Sequence, residues 1–220
     1  MHIGMIGGIG PAATDVYYRS LIALAAEQGK DLELTIAHAD APTLLDNLTK
    51  GDAVAQSQLF AGLAARLKTA GAGCVVVTSV AGHFCVDEFY KVSPLPIIDL
   101  TKALSVWLEN KRMACVGVLG TETVMASKVY GKLSLVEILA PEGDELKMVH
   151  DAYVTLAKSG VSTPALQDVF FKAGHALMDR GAEAVMLGGT DLNAAFDNAN
   201  SGFPVVDCAR IHIEEIAKSI

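Results

Sequence analysis

Ser79 and His83 are the residues whose types and spacing first suggest chemistry. A serine hydroxyl takes no carbon-bound proton unaided; the imidazole four residues on reads either as the base that would activate it or as a ring that caps or packs locally. Both belong to Val75-Val76-Val77-Thr78-Ser79-Val80-Ala81-Gly82-His83, an apolar run that breaks into small and polar residues where a buried strand should end and a helix begin. This stretch has a counterpart. Thr69 to Ala81 reads TAGAGCVVVTSVA and Asp179 to Asp191 reads DRGAEAVMLGGTD, so at an offset of 110 positions Gly71 meets Gly181, Val75 meets Val185 and Ser79 meets Gly189. One strand end carries Thr78, Ser79, Val80 and His83; the other carries Gly188, Gly189, Thr190 and Asp191.

Several donors could hold an anion. Thr121, Thr123, Thr190 and the backbone N–H groups of Gly8, Ile9 and Gly10 fall at expected helix N-termini, where the dipole favours a carboxylate, although each threonine read alone is an N-cap. Asp191 reads either as an N-cap or as the carboxylate that orients His212. The spacing Gly8-x-Gly10-x-x-Ala13, with Asp40 as a ribose partner, also matches a dinucleotide fingerprint, but Pro11 removes a phosphate-facing donor and no cofactor is expected. The four cysteines show no CxxC spacing, so neither a metal site nor a disulfide framework is signalled; Cys74 and Cys115 sit in strand patterns as small hydrophobes. Seventeen basic against twenty-five acidic residues give a net charge of −8 without any basic run, which argues against nucleic acid. No apolar run reaches the length that crosses a bilayer, and the first residues lack a signal-peptide pattern, so no membrane partner and a cytoplasmic location are expected.

These groups need elements to hold them. Strands are expected at Ile3–Ile6, Leu32–Ala37, Cys74–Thr78 and Leu95–Ile98, with helices over Ala12–Glu27, Asp52–Thr69, His83–Tyr90 and Leu100–Glu109; Asp40-Ala41-Pro42 reads as a turn into a polar loop. The second half repeats the plan: strands Met113–Leu119, Val136–Leu139, Ala184–Leu187 and Pro204–Val206, and helices within Thr121–Leu133, over Asp144–Lys158 and Thr163–Arg180, a short one after Thr190, and a last one after the final strand, ending at Ile220. Ile3 to Gly7 lines up with Val116 to Gly120 at an offset of 113, and Leu95 to Asp99 with Phe203 to Asp207 at 108. Three matches in order imply an internal duplication. The expected fold is α/β, two pseudo-symmetric Rossmann-like or flavodoxin-like domains with parallel sheets. A ligand cleft between them would be lined by Gly8 to Gly10, Thr78 to His83, Thr121 to Thr123 and Gly188 to Asp191.

The opening Ile-Gly-Met-Ile-Gly-Gly-Ile-Gly-Pro, the Leu119-Gly120-Thr121 turn with Met125 and Tyr130, the lead from Gly181 into Leu187-Gly188-Gly189-Thr190-Asp191, and the ending from Pro204-Val205-Val206-Asp207 to His212 together resemble the aspartate/glutamate (Asp/Glu/hydantoin) racemase superfamily. The resemblance implies a fold without pyridoxal phosphate or other cofactor, domains of 1–100 plus 208–220 and of 101–207 with the last helix returning to the first, a homodimer, and a small amino or carboxylic acid as ligand, with His212 among the residues around it. In that family two cysteines, one after each central strand, exchange the α-proton from opposite faces. This chain has Ser79 and Gly189 at those positions. The distal-carboxylate arginine of aspartate-specific members is replaced near Thr43-Leu44, and the second threonine of the Thr-x-x-Thr motif is Val124.

A thiol can be tuned to a thiolate that takes a carbon-bound proton; glycine offers nothing, so two-base racemisation through positions 79 and 189 is excluded. The resemblance leaves an isomerase with altered chemistry, with Ser79, His83 and Asp191 as catalytic candidates. Three readings stay open: one-sided decarboxylation, elimination or isomerisation, with strand-end N–H groups stabilising a developing enolate; Cys85 or Cys208 as a substitute acid or base; and an inactive protein that binds a small acid.

Overall fold

A computed structural model of the chain describes residues 1–196 and 200–220. The chain divides into two compact units, Met1–Leu100 with Ala209–Ile220, and Thr101–Cys208.

In the first unit β1 (Ile3–Gly7) leads into α1 (Pro11–Glu27), followed by β2 (Leu34–His38), α2 (Ala41–Lys50), α3 (Ala53–Thr69), β3 (Cys74–Val77), a 3-10 turn at Ala81–Cys85 and α4 (Val86–Val92). Helix α5 (Leu100–Lys111) starts on Leu100, a residue of the first unit, and continues as the first element of the second. It is followed by β4 (Cys115–Leu119), α6 (Glu122–Ala126), a 3-10 turn at Val129–Gly131, β5 (Glu137–Leu139), α7 (Gly143–Ser159), α8 (Pro164–Asp179), β6 (Val185–Leu187), a 3-10 turn at Thr190–Leu192, α9 (Asn193–Phe196), β7 (Val205–Asp207) and α10 (Cys208–Ala217), whose chain returns to the first unit.

All strand pairing is parallel, in the order β2-β1-β3 in the first unit and β5-β4-β6-β7 in the second. Parallel strands are covered on both faces, and β1 and β3 accordingly bury every residue. Val75 and Val77 pack with Phe60, Leu67 and Phe89; Cys74 and Val76 point the other way, into a cluster with Tyr17, Leu21 and, from α10, Ala209, Ile213 and Ile216.

Two local expectations change. The stretch after Asp40 is a helix rather than a polar loop: the Asp40 carboxylate accepts the Thr43 N–H at 3.0 Å, Pro42 lies in the first turn where it forfeits no hydrogen bond, and Leu44 and Asn47, one turn apart, are buried. The strand expected at Leu95–Ile98 shrinks to one bridge, Val75 to Ile97: Pro96, without an N–H, can only begin the pairing, and the bonds end with Val75 donating to the Pro96 carbonyl at 2.9 Å and Ile98 donating back to Val75 at 3.0 Å.

The two units repeat one bonding scheme at the offsets legible in the chain. Gly4 faces Val75 across β1 and β3, and Gly117 faces Val185 across β4 and β6. Gly73 donates to His2 and Glu183 to Cys115; Thr78 donates to Ile6 and Gly188 to Leu119; Val75 donates to Pro96 and Val185 to Pro204. The likeness extends to packing. A Cβ on Gly4 would stand 3.0 Å from the Cβ of Leu67, and one on Gly117 would stand 3.0 Å from the Cβ of Leu177. In each unit the helix before the third strand lies close on the first strand because that strand carries a glycine there. Among the described residues no helix is long and apolar enough to cross a membrane.

Candidate active site

The first unit ends its strands in a turn tied by one hydroxyl. Gly8, at φ +97°, takes a left-handed conformation that favours glycine, and its N–H donates to Thr14 Oγ1 at 2.9 Å; the Thr14 hydroxyl in turn lies 3.2 Å from the Gly10 carbonyl and from Thr78 Oγ1. Of the three N–H groups expected to face an anion, that of Gly8 is therefore already spent. Thr78 is fully buried, with its hydroxyl 3.3 Å from the Ile6 carbonyl, so it serves the turn rather than a ligand. Val80 is buried too, and its carbonyl accepts the His83 N–H.

Ser79 is half-buried, and its hydroxyl has no hydrogen bond to a described residue. His83 does not reach that hydroxyl. It is 2% exposed; its Nδ1 lies 2.7 Å from the Ser79 backbone carbonyl, and its Nε2 accepts the Leu100 N–H at 3.3 Å. A carbonyl only accepts and an N–H only donates, so the proton sits on Nδ1 and both nitrogens are committed to backbone. Burial lowers the imidazole pKa and outweighs Asp99, whose Oδ1 lies 4.0 Å from Nε2. His83 thus fastens the Ser79 turn to the start of α5, and the expected Ser79–His83 acid–base pair is not formed.

His212 is also a core histidine. It is 0% exposed, its Nε2 donates to the Ile98 carbonyl at 2.9 Å, and its Nδ1 takes the Tyr17 hydroxyl at 2.9 Å. Burial, with His83 5.9 Å away ring to ring, pushes its pKa down to about 3. Asp99 accepts the Tyr90 hydroxyl at 3.1 Å. His212 therefore holds α10 to the Ile98 backbone and to α1, with no ring nitrogen left for a ligand or for orientation by Asp191.

In the second unit Gly188 is confined by backbone: its N–H donates to Leu119, and a Cβ would stand 2.8 Å from that carbonyl. Gly189 differs. Its φ of −165° suits any residue, yet an added Cβ would stand 2.6 Å from Cε2 and 2.8 Å from Cζ of Tyr153, and closer still to the phenol oxygen. The Tyr153 hydroxyl donates to Asp191 Oδ2 at 2.8 Å. Burial, with Asp191 beside it, raises this phenol's pKa well above its usual value, so the group stays protonated. Thr190 is buried. Thr121 caps α6, accepting the Val124 N–H at 3.3 Å, and Thr123 is exposed. The Glu122 N–H donates to His150 Nδ1 at 3.1 Å.

Tyr153, Thr14 and His150 lie outside the expected site. Tyr153 hides because it stands at helical spacing from Val149 and Leu156 on the buried stripe of α7, where a tyrosine reads as core. The two substitute thiols are core groups as well. Cys85 is 1% exposed and burial pushes its pKa up to about 12; Cys208 is equally buried, and burial together with Asp207 raises its thiol. Neither is a usable acid or base at neutral pH. Among the described residues no three His, Cys, Asp or Glu side chains are grouped to hold a metal ion.

The family model described as Asp/Glu/hydantoin racemase matches residues 6–216. Solved structures repeat the fold along the whole chain. A Yersinia pestis protein designated a candidate Asp/Glu racemase superposes with a TM-score of 0.88 at 24% identity, covering 100% of this chain and 99% of its own. An aspartate racemase homologue from Pyrococcus horikoshii gives 0.82 at 22% identity, with 99% of each chain covered. Glutamate racemase from Francisella tularensis, solved with D-glutamate, gives 0.65 at 16% identity over 99% of this chain and 80% of its own.

Proposed function

Because the chain belongs to the Asp/Glu/hydantoin racemase family, a family of racemase-type isomerases, we propose that it binds a small amino or carboxylic acid at its strand-end turns, without a cofactor, and does not racemise it by two-base proton exchange. The observation that carries this reading is the state of the two equivalent strand ends. One offers a serine hydroxyl whose neighbouring imidazole is bonded to backbone; the other offers a glycine whose side-chain space a protonated phenol fills. Neither is a base that takes a proton from carbon at neutral pH. Two similar units with one hydrogen-bond scheme support an origin by internal duplication, in which the family's symmetric chemistry has been given up while the fold is kept.

Candidate acid-binding groups are the Ile9 and Gly10 N–H groups, Ser79, Thr123, and the Gly189–Thr190 turn. The position near Thr43-Leu44 brings no cation: Leu44 is buried and Thr43 bonds to Asp40. This favours a ligand with a single carboxylate over a dicarboxylic amino acid. A second reading, one-sided chemistry such as decarboxylation or elimination, draws on the Ser79 hydroxyl, which is half-exposed and has no hydrogen bond to a described residue.

Thermal-shift measurements with a panel of small amino, hydroxy and keto acids, followed by α-proton exchange in deuterated water with every acid that stabilises the protein, separate these readings. Stabilisation without turnover is the expected result. Loss of the α-proton from both enantiomers of one amino acid would overturn the proposal, and product formation from one enantiomer only would move it to the second reading.

A further inference from the structure

Position 189 is glycine for want of space rather than for backbone freedom. At φ −165° any residue adopts its conformation, and the obstacle to a side chain is the ring of Tyr153. That ring is fixed: α7 carries it on the same stripe as buried Val149 and Leu156, and the hydroxyl is anchored to Asp191 Oδ2 at 2.8 Å. Asp191 itself lies two residues beyond Gly189 in the 3-10 turn Thr190–Leu192, so the group that fills the vacated volume is tied to the turn that vacated it.

We infer that Tyr153 and Gly189 act as an exchange pair: the phenol ring occupies the side-chain volume of the second catalytic position of the fold and, held by Asp191, closes that strand end to any proton-transferring residue. The inference rests on the family reading for the meaning of position 189, and on this unit's own geometry for everything else. Restoring a thiol at 189 alone cannot rebuild the second base, because the thiol and the phenol compete for one space. Tyr153 thus stands where a two-base enzyme carries its second base.

A double-mutant cycle on the full chain tests this without any substrate. Gly189→Cys should lower Tm by about 5 °C when Tyr153 is present, the cost of overpacking a filled site. The same substitution in a Tyr153→Ala background should cost nothing or raise Tm. Gly189→Ala, which adds Cβ alone, serves as the milder replicate should the cysteine variant fold poorly. Alkylation of the introduced thiol by iodoacetamide, followed by peptide mass spectrometry, should be faster in the double variant than in the single one. Equal Tm losses in both backgrounds, or none in either, would overturn the exchange pair. Protection of the introduced thiol in the double variant by succinate, L-aspartate or L-alanine is a separate readout. Its absence with the coupling intact counts against acid binding and leaves the pair standing, whereas protection without coupling does the reverse.

Discussion

A histidine four residues after a serine is an activating base only if its ring turns toward the hydroxyl, and in this chain the backbone claims it first. Removing His83 orphans both the Ser79 carbonyl and the Leu100 N–H inside the core and leaves a cavity, so His83→Ala should lower the unfolding free energy by about 3 kcal/mol. Ser79→Ala, which removes a hydroxyl without a bond to a described residue, should change it by less than about 0.5 kcal/mol. Urea denaturation of the two variants checks both values, and a His83→Ala variant as stable as the parent would contradict the structural role of the ring. At this scale the sequence displayed residue types but not directions. Ser79, Gly189 and Asp191 could be placed at strand ends by counting, whereas the choice of His83 between a hydroxyl and a carbonyl depends on where α5 begins, seventeen residues later. Tyr153 was equally hidden, since nothing local distinguishes a ring packed in a core from one that fills the space left by a distant glycine.

The elements were far more legible, because parallel strands buried on both faces are written as short apolar runs and the helices between them as amphipathic stretches. What failed was local chemistry that competes with pattern: Asp40-Ala41-Pro42 carries both a turn signature and a helix start, and the capping bond to Thr43 decides for the helix. The apolar pattern after Pro96 yields a single bridge, while the same pattern after Pro204 yields a three-residue strand, a difference the sequence does not display. Glycines at Gly4 and Gly117 show how far the repeat reaches into packing. Each lets a helix lie against a strand, so Gly4→Ala and Gly117→Ala should each cost about 1–3 kcal/mol. Of the two, Gly4→Ala should cost more, because its nearest neighbour, the Cys74 carbonyl at 2.9 Å, is backbone and cannot yield, while at Gly117 the crowding comes from the Leu177 side chain. Chemical denaturation of the two single variants measures the difference; equal values would mean that backbone and side chain give way alike.

Taken as a whole, the molecule stores two neutral histidines in one core. His83 and His212 both have pKa values held below the ordinary imidazole value, that of His212 near 3. The unfolded chain takes up protons on these residues below about pH 6.5 while the folded chain resists doing so, so their contribution is fully present above that pH and is lost as the pH falls below it, for His212 down toward about 3. His212 gives a slope of about 1.4 kcal/mol per pH unit within that window and by itself should cost about 1–1.5 kcal/mol between pH 7.5 and pH 5.5, with His83 acting in the same direction. Urea unfolding at those two pH values tests this, and unchanged stability would show that the His212 ring protonates in the folded state. The cysteines carry a different consequence. Three of the four are buried, and the fourth, Cys115, has its thiol pKa raised by burial and by Glu137 and Glu183. Thiolates are what peroxides and electrophiles attack, and enzymes that work through cysteine pairs are silenced by both. With serine at position 79 and glycine at position 189, neither strand end of this chain offers such reagents a thiol.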